Sequence, residues 1–340
     1  MKREPYKVIF DTDPGVDDAM ALYFALAHPD IEVIGITTTF GNVAVEQAAV
    51  NALYLTALAG ASIPVTQGIA APLTLPPPVP PAHVHGADGL GNLPERRPVQ
   101  ATLDPRASAR FIVDMARAQP GEITLVAVGP LGNLALALAI EPRLPHLLRE
   151  VILMGGTVLE PGNVSAVAEA NIANDPHAAA QVFAAPWRLT MVGLDVTHRV
   201  ILPLSMFKAI ADQQQHPATS TLHQAVCFYA DFYSGLYPHV AQIHGCFGHD
   251  VLAFVYLVRP DLFTLARGRI SVLTEGPLQG QTVLSSHYDA DAALAGRRGD
   301  CVSQVCMEVD ADACKQLVSD TLLGPWLAFQ LLQAVFGRRR

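Results

Sequence analysis

The segment Val8 to Leu22, VIFDTDPGVDDAMAL, places four aspartates (Asp11, Asp13, Asp17 and Asp18) around a Pro14-Gly15 turn. Lys7 to Phe10 before the turn is apolar and β-branched, and Met20, Tyr23, Phe24 and Ala27 after it recur at helical spacing, so the segment predicts strand, turn and helix. Carboxylates crowded into one turn repel one another. The arrangement therefore calls for a neutralising cation or a hydrogen-bonded polyol ligand. Hard oxygen donors select Ca²⁺ or Mg²⁺ over zinc. A helix cap is the plainer alternative, because an N-terminus favours negative charge, but a cap needs one aspartate and gives Asp11 and Asp13 no role. The carboxyl end of a strand is also where open α/β sheets bind ligands.

The same rhythm continues along the chain. Ile31 to Thr39 reads as a buried strand ending at Phe40-Gly41-Asn42, followed by a helix from Val45 to Leu58. Further strands are expected at Ile63 to Val65, Ile123 to Val128, Val151 to Met154 and Arg188 to Val192, with helices at Ala107 to Ala118, Leu134 to Ile140 and Pro176 to Ala184. Strands separated by helices imply right-handed crossovers. The expected fold class is α/β, a mostly parallel central sheet with helices on both faces, in a Rossmann-like open core carrying a helical C-terminal extension. One domain over residues 1–340 is expected, since no linker-like shift in composition divides the chain.

Two segments break the rhythm. Residues 71–98 contain the proline-dense run LTLPPPVPPA and then His83, His85, Gly86, Asp88, Gly89, Gly91 and Asn92, which reads as a lid or binding loop. A disordered insert is the alternative for Leu73 to Pro81. Residues 202–258 are dominated by helical patterns that would border a site, interrupted by a loop near Tyr237 to Gly248. Phe228, Tyr229, Phe232 and Tyr233 crowd one helix there, as core packing or as the wall for a flat, stacking ligand. Ile270 to Leu273, Gln281 to Leu284 and Val302 to Val309 look like strands, and Ala311 to Phe336 holds one or two helices.

At 340 residues and 51% hydrophobic, the chain can bury a large core. Its net charge of −9 argues against a nucleic-acid partner, which would require clustered Lys and Arg; the basic run Arg338 to Arg340 reads as a solvated tail. MKREPYKVIF lacks the apolar segment of a secretory signal, so a cytoplasmic protein is expected. No membrane span is expected either, because Gly129, Pro130, Gly132 and Asn133 interrupt the most apolar stretch. Five cysteines without metal-ligand spacing read as reduced, mostly buried thiols.

Further oxygen and amide donors follow other predicted strands. Asn42 ends the second, Asn163, Glu169 and Asn171 follow the Met154-Gly155-Gly156 strand end, and Gly248-His249-Asp250 opens a late helix. Such groups can ligate a cation and hold vicinal hydroxyls together. With these residues, the motifs DTDPGVDDAMAL, ITTTFGN, VHGADGLGN, VAVGPLGNLA, LMGG, AEANIANDPHAA, VGLDVTH, GHDVLA and GQTV, spread over about Lys7 to Val309, resemble the inosine-uridine-preferring nucleoside hydrolases.

The resemblance implies a Ca²⁺-dependent enzyme that splits a ribonucleoside into ribose and free base, acting on a small-molecule ribonucleoside as a homodimer or homotetramer. By position, Asp13, Asp18 and Asp250, with the Val128 backbone carbonyl, match Ca²⁺ ligands. Asp13 also matches the general base that activates a Ca²⁺-bound water. Asp17, Asn42, Asn163, Glu169 and Asn171 match residues that hold the ribose hydroxyls and the water, and Met154 belongs to the same substrate-binding set. His249 matches the acid that protonates the leaving base, a role suited to a histidine titrating near neutrality. His85 matches a second histidine near the base pocket, with a loop-surface position as its alternative. Asp11 reads as a supporting residue, and Asp195 and His198 as support for the fold.

The chain departs from the pattern at Val251, Gly132 and Ala170, where the family commonly has Pro, Thr or Ser, and an aromatic residue; these changes bear on base preference and not on charge. Two other readings stand beside this one. DTDPG also resembles the start of haloacid-dehalogenase-like phosphatases, though a downstream Lys and paired acidic motif are not evident. A binding protein that keeps the ribose and Ca²⁺ site without turnover is the other.

Overall fold

The computed structural model describes residues 4–96, 99–286 and 302–324. Eleven strands lie within them: β1 (Tyr6–Thr12), β2 (Ile31–Thr38), β3 (Val65–Gln67), β4 (Ile123–Ala127), β5 (Glu150–Met154), β6 (Leu189–Val192), β7 (Ile201–Pro203), β8 (Gly245–Phe247), β9 (Phe263–Val272), β10 (Thr282–Ser285) and β11 (Ser303–Val309). Nine of them form one sheet in the order β10-β9-β11-β6-β5-β4-β1-β2-β3, and β7 pairs with β8 separately. From β3 across to β11 the neighbours are parallel; β9 and β10 form an antiparallel edge. The mostly parallel α/β sheet is as expected.

Alternation along β1 divides the core. Val8 and Phe10 face one apolar layer, with the Val16–Ala27, Pro217–Leu236 and Val251–Val258 helices. Ile9 faces the other, with Ser108–Ala118, Gly132–Ile140 and Pro176–Phe183. Phe10 meets Phe254 edge to face at 5.1 Å, joining the first strand to the helix that follows Asp250.

The strand order reverses at β1. Its chain-order neighbour β2 lies on one side and β4 on the other, so a crevice opens beyond the carboxyl ends of β1 and β4, between Thr12 and Val128. Asp11 pairs with Ala127 across those strands, and the Val128 amide donates to the Asp11 carbonyl at 2.8 Å. The aspartate turn and Val128 are thus neighbours by sheet register.

Several expected boundaries shift. The third strand is Val65–Gln67, two residues later than Ile63 to Val65, because it pairs only with Ile36 to Thr38. β9 is ten residues long where only Ile270 to Leu273 reads as strand, and its half-exposed residues explain the weak hydrophobic signal. The interruption near Tyr237 to Gly248 contains the Pro238–Ile243 helix and β8. The C-terminal helix is Ala311–Leu323; the remainder of the expected helical stretch to Phe336, the basic tail and Cys301 lie outside the described residues. Cys227, Cys246, Cys306 and Cys314 are free thiols. Among the described residues no helix is long and apolar enough to cross a membrane.

Candidate active site

The crevice holds a cavity of about 390 Å³. Its wall includes Asp17, Asn42, His85, Val128, Met154, Asn163, Glu169, Asn171, His249 and Asp250, so ten of the residues selected from the sequence meet there. Asp11, Asp13 and Asp18 are fully buried behind that wall.

Each carboxylate is held differently. Asp18 accepts from Thr12 Oγ1, from the amides of Asp13 (3.3 Å) and Gly15 (2.8 Å), and from Asn42 Nδ2 (3.0 Å). Its contact with Gly15 caps the Val16–Ala27 helix, so the capping reading holds for this one aspartate alongside any metal role. Asp13 Oδ2 accepts from the Asn42 amide at 2.6 Å, while its Oδ1 has no hydrogen-bond partner among the described residues. Residue 41 must be glycine here: its φ is +153° and a Cβ would collide with Asp13 Oδ2. Asp17 Oδ2 accepts from the Tyr229 hydroxyl at 2.8 Å. Asp11 Oδ1 accepts from Thr37 Oγ1 (2.5 Å) and Asn133 Nδ2 (2.8 Å), a supporting position one step behind the site.

Asp17, Asp18 and Asp250 each offer an oxygen within 4.8 Å of the others. This trio differs by one member from the expected Asp13, Asp18 and Asp250. In the structure Asp13 is drawn toward the Asn42 amide, while Asp17, expected on the sugar, comes to the cluster. Burial, then neighbouring carboxylates, pushes Asp13 and Asp250 well above the usual carboxylate range. Burial also raises Asp11, Asp17 and Asp18 to about 6 and Glu169 to about 7. Asp13 Oδ1, Asp17 Oδ1 and Asp250 Oδ2 are buried without hydrogen-bond partners among the described residues. Such orphaned oxygens fit a hard divalent cation, which would satisfy them and relieve the repulsion.

The opposite wall is amide and carboxylate. Glu169 accepts from the amides of Gly156 (2.9 Å), Asn171 (2.9 Å) and Ile172 (3.1 Å), starting the short Ala170–Asn174 helix. Asn171 Nδ2 donates to the carbonyls of Val128 (2.8 Å) and Met154 (3.1 Å). The Val128 carbonyl keeps a second lone pair for another partner. Asn163, at the exposed mouth, accepts from the Ala170 amide at 3.0 Å. Two clips shape the loop between β5 and this helix. Asp195 accepts from the amides of Val158, Leu159 and Glu160, and Thr282 of the GQTV segment exchanges hydrogen bonds with the Thr157 backbone.

The two histidines are buried. His249 Nδ1 pairs with Thr197 Oγ1 at 2.8 Å and its Nε2 with Tyr233 Oη at 2.9 Å. Burial, with His198 and His85 nearby, holds its proton affinity well below the ordinary histidine range, a correction to the expectation of titration near neutrality. His85 is also brought down, to about 4, by burial. Its Nδ1 accepts from the Val16 amide at 3.2 Å, so the neutral ring carries its proton on Nε2 and its 3.7 Å approach to Asp17 is not an ion pair. The ring lies over Tyr229 at 5.2 Å, which makes His85 a wall residue and not a loop-surface one.

Sequence reasoning misses the specific partners Tyr229, Tyr233 and Thr197. Tyr229 and Tyr233 are four residues apart on the Pro217–Leu236 helix, on one face, and with Phe232 they line the cavity. That spacing puts both rings on one helix face but serves a core as well as a wall, so it does not by itself assign them to the site.

Comparison with known proteins agrees with the geometry. The family model described as inosine-uridine preferring nucleoside hydrolase matches residues 8–316. A probable uridine nucleosidase 2 of Arabidopsis thaliana is 37% identical over 93% of this chain and 97% of its own length. An inosine-uridine preferring nucleoside hydrolase of Leishmania major is 36% identical over 94% of this chain and 98% of its own. Among solved structures, a plant nucleoside hydrolase superposes with a TM-score of 0.86 at 34% identity, covering 94% of this chain and 100% of that one. With the aspartate crevice in place and a match running almost end to end, the chain belongs to the inosine-uridine preferring nucleoside hydrolase family.

Proposed function

We propose that the protein hydrolyses the N-glycosidic bond of ribonucleosides to ribose and free base, with Ca²⁺ as its resident cation. The observation that carries this reading is the convergence of Asp17, Asp18 and Asp250 at a cavity walled on one side by amides and a carboxylate and on the other by aromatic rings. Asp13, Asp18, Asp250 and the Val128 carbonyl would hold the ion, with Asp17 near enough to share it or to turn to the sugar. A bound divalent cation supplies charge neutralisation and Lewis-acid polarisation of hydroxyls and water.

The chain's own residues divide the remaining work. Asp13, whose Oδ1 has no hydrogen-bond partner among the described residues, takes the proton from the attacking water. Asp17, Asn42, Asn163, Glu169 and Asn171 hold the sugar hydroxyls, and the nearby carboxylates favour the oxocarbenium-like state in which the bond to the base breaks. His85, Tyr229, Phe232 and Tyr233 offer faces to the base. His249, paired with the Tyr233 hydroxyl, is the proposed acid to the departing base. Its low proton affinity makes the imidazolium scarce at neutral pH but a strong donor once formed.

A phosphatase would need a cationic group at the cavity. Among the described residues its wall includes neither Lys nor Arg. Ribose release from a panel of purine and pyrimidine ribonucleosides tests the proposal. Free base from inosine or uridine supports it; tight nucleoside binding without hydrolysis overturns it in favour of a binding protein, and phosphate release from sugar phosphates overturns it in favour of the phosphatase.

A further inference from the structure

The aspartate turn and the loop that carries His85 are far apart in sequence, yet one side chain outside the cavity touches both. Asn51 sits on the Val45–Leu58 helix with no exposed surface. Its Nδ2 donates to the Pro14 carbonyl at 2.8 Å and to the Asp88 carbonyl at 3.0 Å. Its Oδ1 accepts from Arg96 Nη1 at 2.6 Å and from Gln47 Nε2 at 2.8 Å. The amide's full donor and acceptor capacity is therefore committed to a bridge.

The loop side of the bridge is built to meet it. The Asp88 carboxylate accepts from the amides of Leu90, Asn92 and Leu93 and forms an ion pair with Arg96 at 2.7 Å. Arg96 Nη2 also donates to the Asp88 carbonyl at 2.9 Å, and its guanidinium lies 5.4 Å from the Tyr54 ring centre. At Gly89 the φ is +79°, and a Cβ would stand 2.8 Å from Asn51 Nδ2, so the loop backbone approaches as closely as it does only because residue 89 is glycine.

We infer that Asn51 is a positioning residue that locks the Asp13–Asp18 turn and the His85 loop into one unit, with Arg96 as the latch that orients its amide. The inference concerns how the site is assembled, and it rests on the hydrolase reading only where activity is measured. Replacing Asn51 by Leu keeps the branched four-atom side chain while taking the donor from the Pro14 carbonyl, one of two donors from the Asp88 carbonyl and the acceptor from Arg96 Nη1, the situation in which buried polar groups become costly.

Amide hydrogen exchange on the full chain, without metal or nucleoside, tests this directly. Asn51→Leu is expected to speed exchange about ten-fold or more in both the 13–18 turn and the 85–93 loop, with β5 unchanged once global stability is accounted for. Arg96→Met is expected to speed exchange in the 14–18 turn, to which Arg96 makes no hydrogen bond, and this variant decides the matter if Asn51→Leu does not fold. With p-nitrophenyl riboside, Asn51→Leu should lower kcat/KM about ten-fold, and adding Arg96→Met should cost nothing further. Exchange rising in one segment alone, rising equally in β5, or staying at the parent rate at 14–18 in Arg96→Met would overturn the inference. An inactive parent protein would instead sink the hydrolase reading and leave the exchange result standing.

Discussion

The Tyr229 hydroxyl donates to Asp17 Oδ2 at 2.8 Å, linking side chains 212 residues apart in sequence. It ties the aromatic wall to the carboxylate cluster, so a change on the helix proposed to face the base reaches the groups proposed to hold the sugar. Tyr229→Phe keeps the ring against His85 and removes that bond together with the longer 3.4 Å contact between the Tyr229 and Tyr233 hydroxyls. A hydrogen bond to a charged group of this kind predicts about a 10- to 100-fold fall in kcat/KM with p-nitrophenyl riboside and a small change in Tm. Steady-state kinetics and a thermal melt of the same preparation check it.

Asp13 is the proposed base, held by the Asn42 amide with its other oxygen unpartnered among the described residues. Asp13→Ala should therefore reduce turnover by about 1000-fold or more on every substrate, whatever its leaving group. Ribose release from inosine, uridine and p-nitrophenyl riboside is the check. A loss confined to one of them would remove Asp13 from the base role.

His249 acts, in this account, only where the leaving group needs a proton. His249→Ala should slow inosine hydrolysis about 100-fold or more while changing p-nitrophenyl riboside by a few-fold at most, since nitrophenolate departs unaided. Equal losses on both substrates would argue against the acid role.

The raised carboxylate pKa values make a statement about stability as well. In metal-free protein, Asp11, Asp17 and Asp18 bind a proton up to about pH 6 and Glu169 up to about pH 7, higher than the same groups in an unfolded chain. Folding then takes up protons at these groups, so their contribution to stability is greatest below the unfolded values and is lost as pH rises through 6 to 7. His85 and His249, held neutral by burial, act in the opposite direction but are outnumbered by the raised carboxylates, Asp13 and Asp250 included. Thermal melts in chelator should show Tm falling by several degrees between about pH 5 and 7.5. With calcium in excess the decline should vanish, because the ion replaces the protons.

How far the sequence reveals all this depends on the range of the interactions. The β1 turn is legible because Pro14-Gly15 and the switch from strand to helical spacing are local, and its place in the crevice follows from the alternation of strands and helices. The wall residues Asn42, Asn163, Glu169 and Asn171 are legible because they follow predicted strand ends, and all four line the cavity. Tyr229 and Tyr233 are not assignable to the site from local pattern, since aromatic residues at helical spacing look alike in a core and in a wall. The behaviour of His249 is hidden for a related reason: its proton affinity depends on enclosure by Tyr233, Phe247 and His198, which only the folded chain brings together. β9 is hard to see because it is a half-exposed strand near the sheet edge, with little hydrophobic contrast.

Calorimetric titration of calcium into chelator-stripped protein, beside Asp250→Asn, tests most directly whether these carboxylates gather around an ion. About one calcium per chain is expected in the parent and none in the variant, whose metal-free form should melt higher than the metal-free parent near neutral pH, because Asn is buried without the cost of neutralising a carboxylate. A parent that takes up no calcium, or a variant that binds it as well as the parent, would contradict the account.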